Sequence, residues 1–346
     1  MSSLFNSSVP VLPDFSEPFH LRIKEQHRLK NNIKFGINTV LISHRAMGKT
    51  SLINATANFV TPDNLKVARF SALTCRNEVD FTHSVNFAVL KTIASQIEKK
   101  SEFAIDSVEF PEKIAQQKGI RLVVCIDEFQ QIGEFEDSLT FQKKLRGVWQ
   151  HHENVCYCLY GSKKSMMEKM FQNHNNPFYR FGDIFYLNKI PREDWIPFII
   201  ERFEQTGKTI SSELAEKVAD LTQCYSAYVQ QLAWFLWVQT DKVATQADLD
   251  YAVNQLLDSC EPLFIVQTEK LTRMQLNFLR ALTDGITNGF AHQKILNEYG
   301  FRCSANISRI KEALIDKDLI VPTGIGQIEL SDPILGLWLK KRVWAS

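Results

Sequence analysis

The sequence lacks long apolar runs, an excess of one charge and cysteine pairs at C-x-x-C spacing. No segment reaches the roughly 18 apolar residues of a membrane-spanning helix, and the first residues have neither the basic nor the apolar region of a secretory signal. The 346 residues include 40 Lys and Arg against 39 Asp and Glu, so the net charge attracts the molecule to neither nucleic acid nor anionic lipid. Contact with nucleic acid would need a local patch, and we expect no membrane partner.

The seven cysteines are odd in number, and no two stand at the C-x-x-C spacing of metal or redox motifs. Cys125, Cys156 and Cys158 lie in apolar runs, where a free cysteine is most often a small buried side chain. The sequence therefore predicts a cytoplasmic protein with reduced thiols.

Short apolar runs alternate with helical patterns through the first half of the chain. The strongest run, at 121–129, is apolar throughout before an acidic end, which is typical of a strand inside a parallel sheet covered by helices on both faces. This alternation predicts an α/β domain with three layers and a mostly parallel sheet. The predicted strands are 39–43, 67–72, 121–129, 155–162 and 184–190.

After Pro191 the patterns are helical only, with predicted helices at 193–205, 212–222, 226–239 and 246–258. From about residue 270 three further helices precede two short strands around a Thr-Gly-Ile-Gly turn, which is the shape of a wing. We therefore predict four parts. They are a loose arm at 1–18, the α/β core at 19–191, an all-helical lid at 192–262 and a winged-helix domain at 263–346.

A candidate phosphate-binding loop follows the first strand and opens a helix. In such a loop, backbone N–H groups face the phosphates, a Lys reaches the β and γ oxygens, and a Ser or Thr hydroxyl binds Mg²⁺. Gly48, Lys49 and Thr50 meet this requirement, whereas Ser43 stands where the pattern G-x-x-x-x-G-K-[ST] has its first glycine. The predicted nucleotide-binding residues are Ser43, His44, Arg45, Ala46, Met47, Gly48, Lys49, Thr50 and Ser51.

Two carboxylates end the strongest predicted strand. Asp127 is placed to hold Mg²⁺ together with Thr50, and Glu128 to polarise the attacking water. The alternative is that the pair only caps the next helix, but a cap requires no long apolar strand beside a phosphate loop. The sequence thus predicts an ATP site with Mg²⁺, and we assign no other metal because His151 and His152 lack partners at metal-binding spacing.

Two further residues are candidates for the reaction. Ser162 follows a predicted strand, and polar residues at the carboxyl ends of parallel strands point into the ligand crevice. It is either a residue that orients water or the γ-phosphate, or an ordinary turn serine. Arg180 follows an aromatic pair and precedes a strand, where it is either an arginine finger on the transition state or a surface ion pair.

The order of these features resembles the AAA+ ATPases. More narrowly, it is similar to the archaeal-type ATP-binding proteins near the STAND and Orc1/Cdc6-like branch. The matching stretches are FHLR (19–22), GINTVLISHRAMGKTSLI (36–53), LVVCIDEFQQI (122–132), LYGSKKSMM (159–167), PFYRFGDIFYLNKI (177–190), YVQQLAWFLW (228–237), SANISRIKEALIDKDLI (304–320) and SDPILGLWLKKR (331–342).

The resemblance implies that Lys49 and Thr50 form the Walker A pair, that Asp127 and Glu128 form the Walker B pair, and that Ser162 is sensor 1. It also implies an arginine sensor at Arg180, acting within the chain or on a second copy. The sequence departs from the family where Leu21 replaces a glycine and where the lid segment 223–230 lacks its Gly, its Pro and a sensor 2 Arg. These departures favour nucleotide binding over hydrolysis.

The partner of the predicted winged helix stays open. Such domains most often read DNA, and Arg302, Arg309 and Lys311 on or before the candidate recognition helix are the residues for it. Residues 271–346 carry ten Lys and Arg against seven Asp and Glu, which is a mild bias for a DNA-binding module. The alternative is that the domain packs on the core or binds a protein.

Three functions follow as hypotheses. The first is an ATPase that binds Mg-ATP between core and lid and uses binding or slow hydrolysis to reposition the winged helix, with DNA as one candidate partner. The second is a nucleotide-gated switch that hydrolyses almost nothing and assembles with itself or another protein. The third is a DNA-binding regulator with a vestigial ATP site.

Overall fold

The computed structural model describes residues 13–15, 21–59, 64–93, 107–301, 303–324 and 326–344. The chain divides into two compact units. The first is Phe19–Asn188, and the second combines Met1–Pro18 with Lys189–Ser346. None of the helices in the described ranges is both long enough and apolar enough to cross a membrane.

The first unit is a parallel sheet with helices around it. Its strands are β1 (Thr39–Ile42), β2 (Leu65–Ser71), β3 (Arg121–Asp127), β4 (Val155–Gly161) and β5 (Asp183–Tyr186), in the order β2-β3-β4-β1-β5. Its helices are α1 (Ile23–Phe35), α2 (Lys49–Phe59), α3 (Glu78–Ile93), α4 (Phe110–Lys118), α5 (Ser138–Trp149) and α6 (Lys164–Gln172). Every strand pairing in this sheet is parallel, so the predicted fold class is confirmed.

The predicted strands are all present, with shifted ends. The fifth ends at Tyr186 rather than at residue 190, and the second begins at Leu65. The helix α3 begins at Glu78 and is described as far as Ile93, since residues 94–106 lie outside the described residues. β3 and β4 are buried along almost their whole length, which explains their unbroken apolar sequences.

An aromatic cluster fills one side of the sheet. Phe81 from α3 packs edge-on against Phe129 and Phe141, with ring centroids 6.2 and 5.6 Å apart. Trp149 at the end of α5 stacks on Tyr157 of β4 with centroids 3.9 Å apart. Because Phe129 follows the two acidic residues directly, this cluster anchors the backbone just beyond the candidate site.

Asn38 joins three strands at the amino-terminal end of the sheet. Its backbone O accepts a hydrogen bond from Asp183 N at 2.8 Å, and its side-chain Oδ1 accepts one from Tyr157 N at 2.8 Å. A Cβ placed on Gly182 would lie 2.2 Å from Asn38 O and 2.8 Å from Asn38 Cβ. The register between β1 and β5 therefore requires a residue without a side chain at position 182.

We expect Gly182→Ala to destabilise the first unit, because backbone atoms of Asn38 cannot move without shifting β1 or β5. Overpacking of this kind costs about 1–3 kcal/mol in the free energy of unfolding. Urea denaturation followed by circular dichroism measures it. Gly147→Ala on α5 is the matched control, since nothing lies within 4 Å of a Cβ there, and equal midpoints for the two variants would contradict the expectation.

The second unit is mostly helical and carries one antiparallel hairpin. Its helices are α7 (Arg192–Glu204), α8 (Ser212–Leu221), α9 (Ser226–Gln239), α10 (Gln246–Thr268), α11 (Arg273–Thr283), α12 (Gln293–Glu298), α13 (Ser304–Asp316) and α14 (Pro333–Trp338), and the hairpin pairs β6 (Ile320–Gly324) with β7 (Gln327–Leu330). The hairpin follows α13 directly, as expected of a wing.

The helix predicted to end at residue 258 continues to Thr268, and the sequence-based end was wrong. α10 passes through Pro262. The reason is tertiary packing, because Phe264 is fully buried and its ring lies 5.7 Å from that of Trp338 in α14. Contacts that a local pattern does not contain hold the last turns in the helix.

Of the predicted arm at 1–18 the structure describes residues 13–15. Phe15 is buried, and its ring packs edge-on against Phe198 and Phe203 of α7, with centroids 6.5 and 6.1 Å away. The described piece of this segment is therefore part of the core of the second unit.

Candidate functional site

The segment between β1 and α2 reverses its direction at Ala46 and Gly48. Both residues have positive φ, at 61° and 83°. Ser43 is not among the described residues with positive φ, which explains why a serine fits where the phosphate-loop pattern has its first glycine. It is buried, and its Oγ donates to His44 O at 2.9 Å. Gly48 is required for its backbone conformation rather than for space, since no atom lies within 4 Å of a Cβ there.

Lys49 begins α2 and folds back over the loop. Its Nζ donates to His44 O at 2.9 Å, and the residue is only 7% exposed. The first backbone N–H groups of α2 have no carbonyl of their own helix to bond, and the helix dipole adds partial positive charge at the same end. An ammonium group and a helix N-terminus thus share one small region, which suits an anion such as a phosphate.

Thr50 and Asp127 bring the loop and β3 together, although 77 positions separate them. Thr50 Oγ1 donates to Asp127 Oδ2 at 3.0 Å, and Glu128 N donates to Asp127 Oδ1 at 2.8 Å. Burial raises the pKa of Asp127, and the two hydrogen bonds act against that rise. A hydroxyl and a carboxylate are hard oxygen donors, and Mg²⁺ usually takes one or two protein ligands together with water and phosphate. The residues therefore fit Mg²⁺.

Glu128 and Ser162 meet at the ends of β3 and β4. Glu128 has φ of 52°, and its Oε2 accepts a hydrogen bond from Ser162 Oγ at 2.8 Å and a longer one from Ser162 N at 3.4 Å. The amide of Gln130 donates to the same oxygen. Sequence reasoning placed Glu128 and Ser162 in the site but missed Gln130, which is buried at 3% exposure and stands only two residues beyond the acidic pair.

The fold of the whole chain is similar to those of solved ATPase and ORC structures. No family model and no curated protein matches the sequence. Among solved structures, the chain is similar to the Walker-type ATPase of Pyrococcus abyssi, with a TM-score of 0.72 at 15% identity, over 92% of this chain and 95% of that one. It is also similar to the Aeropyrum pernix ORC2 protein, solved in ADPNP-ADP complexes, with a TM-score of 0.61 at 13% identity over 97% of both chains. The Aeropyrum pernix ORC1 protein in complex with DNA gives 0.54 at 12% identity, over 96% of this chain and 94% of that one.

The chain shares its fold with these Walker-type ATPase and ORC proteins. The resemblance predicted from the sequence is thereby confirmed at the level of the fold. In this fold the phosphate loop, Asp127 and Ser162 all lie at the carboxyl ends of neighbouring parallel strands, β1, β3 and β4. That common edge is where ligands bind in open α/β sheets.

Arg180 lies at a different end of the sheet. It precedes β5 by three residues, so it stands at the amino-terminal end of the sheet, opposite the edge that carries the phosphate loop. The residue is exposed, has φ of 53°, and its guanidinium lies 5.2 Å from the ring centre of Tyr179. The structure therefore does not bring Arg180 together with the other predicted site residues of the same chain.

The remaining predicted loop residues differ in exposure. Met47 is buried, His44 and Ala46 are half-buried, and Arg45 and Ser51 are exposed. The backbone N–H groups of this segment suit a phosphate, as in other helix-terminal anion sites, and the exposed side chain of Arg45 is accessible from solvent.

The predicted DNA-contacting residues of the winged helix have different surroundings. Arg309 is exposed on α13, between the buried Ile307 and Ile310. Lys311 is half-buried, with its Nζ 5.2 Å from the ring centre of Phe290, and burial lowers its pKa. Arg302 lies outside the described residues. Of the three, Arg309 is the described side chain that extends into solvent.

Proposed function

We propose that this protein is an ATPase that binds Mg-ATP at the loop between β1 and α2 and hydrolyses it slowly. The observation that carries the proposal is the hydrogen bond of 3.0 Å between Thr50 Oγ1 and Asp127 Oδ2. It joins the helix that follows the phosphate loop to the carboxylate at the end of strand β3. If Asp127 only capped the next helix, nothing would require its carboxylate to contact the helix that follows the phosphate loop.

Each residue has a distinct part in binding. Lys49 exchanges its bond to the His44 carbonyl for the β and γ oxygens of ATP, and the N–H groups at the start of α2 receive the phosphates. Thr50 and Asp127 would hold Mg²⁺, which when bound neutralises charge on the β and γ phosphates. The raised pKa of Asp127 means that its charged form, and with it metal affinity, is lost at a higher pH than for an ordinary Asp as the solution is acidified.

The hydrolytic step is an in-line attack of water on the γ-phosphorus, which breaks its bond to the β–γ bridging oxygen and releases ADP and inorganic phosphate. Glu128 is the base that orients the water and takes its proton. Ser162 and Gln130 direct three hydrogen-bond donors at one oxygen of Glu128. These contacts occupy the oxygen that would otherwise orient the attacking water. Slow turnover follows from that arrangement.

The winged helix is fastened to the preceding helices within the second unit. Tyr228 on α9 donates its hydroxyl to Asp332, Trp338 Nε1 donates to Glu261 Oε1 at 3.2 Å, and Arg342 pairs with Asp258 at 2.8 Å. We therefore propose that nucleotide moves α7–α14 as one body. The similarity to an Orc protein solved with DNA supports duplex DNA as the partner of the winged helix.

Arg180 extends the proposal to an oligomer. Because it lies at the sheet end opposite its own phosphate loop, its use as an arginine finger requires the site of a second copy of this chain. Arginine is suited to that task because its charge is permanent and its fork spans two phosphate oxygens.

The experiment that tests the function is phosphate release from Mg-ATP by the purified protein, with and without duplex DNA. Release that depends on Mg²⁺ and increases with DNA would support a DNA-responsive ATPase. Absence of release from a protein that binds ATP would replace it by the second candidate below.

We expect Arg309→Ala to weaken duplex binding about equally for all sequences and to lower the salt slope of the affinity by about one unit, as for one lost phosphate contact. Fluorescence anisotropy with a labelled duplex at several salt concentrations measures both. Lys242→Ala, an exposed lysine outside the winged helix, is the control. Unchanged slope in Arg309→Ala would argue for a protein partner instead.

A second candidate is a nucleotide-gated interaction switch with negligible hydrolysis. The observation that favours it is the same restraint of Glu128, since Ser162 and Gln130 both donate to the carboxylate oxygen that would have to contact the attacking water. Its signature is an ATP-dependent change in mass by light scattering without release of phosphate.

A further inference from the structure

A buried arginine contacts the phosphate loop from behind. Arg22, next to the start of α1, is only 4% exposed. Its Nη2 donates to Met47 O at 3.1 Å and to Asn188 O at 3.0 Å, while Nη1 lies 3.4 Å from Glu25 Oε1. Sequence analysis included this residue in a family stretch but gave it no role.

Burying a guanidinium is costly unless its donors are satisfied. Burial lowers the pKa of Arg22, and the nearby Glu25 opposes that effect. A side chain that merely filled space here could be apolar. The two carbonyl contacts are the feature that an apolar residue could not supply.

The first contact orients the phosphate loop. In a trans peptide the C=O of Met47 and the N–H of Gly48 point in opposite directions. A guanidinium that holds the Met47 carbonyl on one side therefore directs the Gly48 N–H to the other side, away from Arg22. Gly48, with its positive φ, is the loop residue directly before Lys49.

The second contact lies at the exit from the first unit. Asn188 is the last residue of that unit, and Lys189 begins the second. Just before it, Leu187 N donates to Ile42 O at 3.0 Å, at the end of β1 where the loop begins. One nitrogen atom of Arg22 thus joins the phosphate loop to the junction between the units, although 166 positions separate Arg22 from Asn188.

We infer that Arg22 is a positioning residue that transmits nucleotide binding at the phosphate loop to the 187–191 junction. This inference rests on the proposed function, since it requires that the loop binds a nucleotide. When phosphates fix the loop, the Met47 carbonyl and Arg22 become fixed with it, and Asn188 is held more tightly. Without the guanidinium the loop still binds nucleotide, and the junction does not respond.

Hydrogen–deuterium exchange with the full chain tests it, using Mg-ADPNP as the probe at saturating concentration. Two segments are read in the same experiment: 43–52 reports binding, and 187–191 reports coupling. In the parent we expect Mg-ADPNP to slow exchange at both segments. At the junction the rate should fall by about fivefold, which is the change in opening equilibrium that one net hydrogen bond produces. In Arg22→Gln we expect slowing at 43–52 alone.

The matched control is Arg28→Gln. Arg28 lies on α1, six residues after Arg22, and donates to Asp183 at the start of β5 at 2.7 and 2.5 Å rather than to the phosphate loop. The Arg28→Gln variant loses a similar number of side-chain contacts, yet its exchange at 187–191 should still slow when Mg-ADPNP binds. Arg22→Lys keeps the charge and serves if Arg22→Gln unfolds or cannot be saturated; a single ammonium replacing the fork should reduce the response by more than half.

The outcomes separate two failures. A junction that still slows in both Arg22 variants, or that never slows in the parent although 43–52 does, overturns the inference and leaves the proposed function standing. No slowing at 43–52 in the parent overturns the proposed function, and the inference with it. Slowing at 187–191 in the parent and Arg28→Gln, and its loss in the Arg22 variants, supports the coupling.

Discussion

Glu128→Gln is expected to bind ATP as tightly as the parent and to lose phosphate release by about 10²–10⁴-fold, the usual contribution of a general base. The amide has the shape of the carboxylate, and its Oε1 can still accept the hydrogen bond from Ser162 Oγ. It cannot take a proton from water. Since the Lys49, Thr50 and Asp127 contacts are untouched, nucleotide affinity should stay within about twofold.

A coupled phosphate-release assay and titration of a fluorescent nucleotide measure the two quantities separately. Glu134→Gln is the control, because Glu134 is exposed, pairs with Lys163 and has the same change of charge. Turnover equal to the parent's in Glu128→Gln would show that another group activates the water. Parallel loss of binding and turnover would place Glu128 in nucleotide binding instead.

Lys49→Ala is expected to lower ATP affinity by about 10- to 100-fold, the range of a charge-assisted hydrogen bond. Its ammonium is the buried positive charge of the loop, 2.9 Å from the His44 carbonyl. Truncation leaves the phosphates with the backbone N–H groups alone. The loss should be larger for ATP than for AMP, since the β and γ oxygens are the ones that Lys49 reaches.

Isothermal titration at one Mg²⁺ concentration gives the affinities. Lys144→Ala, which removes an exposed lysine 3.6 Å from Glu78 on the surface, controls for net charge. Lys49→Met keeps most of the buried volume and separates loss of charge from loss of packing. If Lys49→Ala and Lys49→Met bind ATP like the parent, the site assignment is wrong.

Some residues of the site were predictable because their signals are local. The loop at 43–50 has a turn and a helix start within a few residues, and 122–128 has an apolar run that ends in two acids. Ser162 was predictable for the same reason, because it directly follows the next apolar strand. Parallel strands place their carboxyl ends along one edge, so finding the strands was sufficient to predict that Thr50, Asp127 and Ser162 lie near each other.

Other features depend on contacts that no local pattern contains. In the sequence nothing distinguishes Gln130 from other residues that follow an acidic pair. Its role became visible only because its buried amide donates a hydrogen bond to Glu128. Lys311 has the spacing of a recognition-helix cation, yet it lies over Phe290. The extension of α10 beyond residue 258 depends on Trp338, which is 74 positions past Phe264.

The sequence by itself determined the strands, the phosphate loop, the acidic pair and the wing, because hydrophobic period and turn chemistry are written in short windows of residues. Only the tertiary structure decided which of the charged residues meet. The strand order β2-β3-β4-β1-β5 makes β4 the neighbour of both β3 and β1, so that Ser162 reaches Glu128 and Thr50 reaches Asp127, and the fold returns the chain to Arg22 at Asn188. Strand order is set by the packing of the whole unit, so residues distant in sequence acquire their partners only when the sheet is assembled.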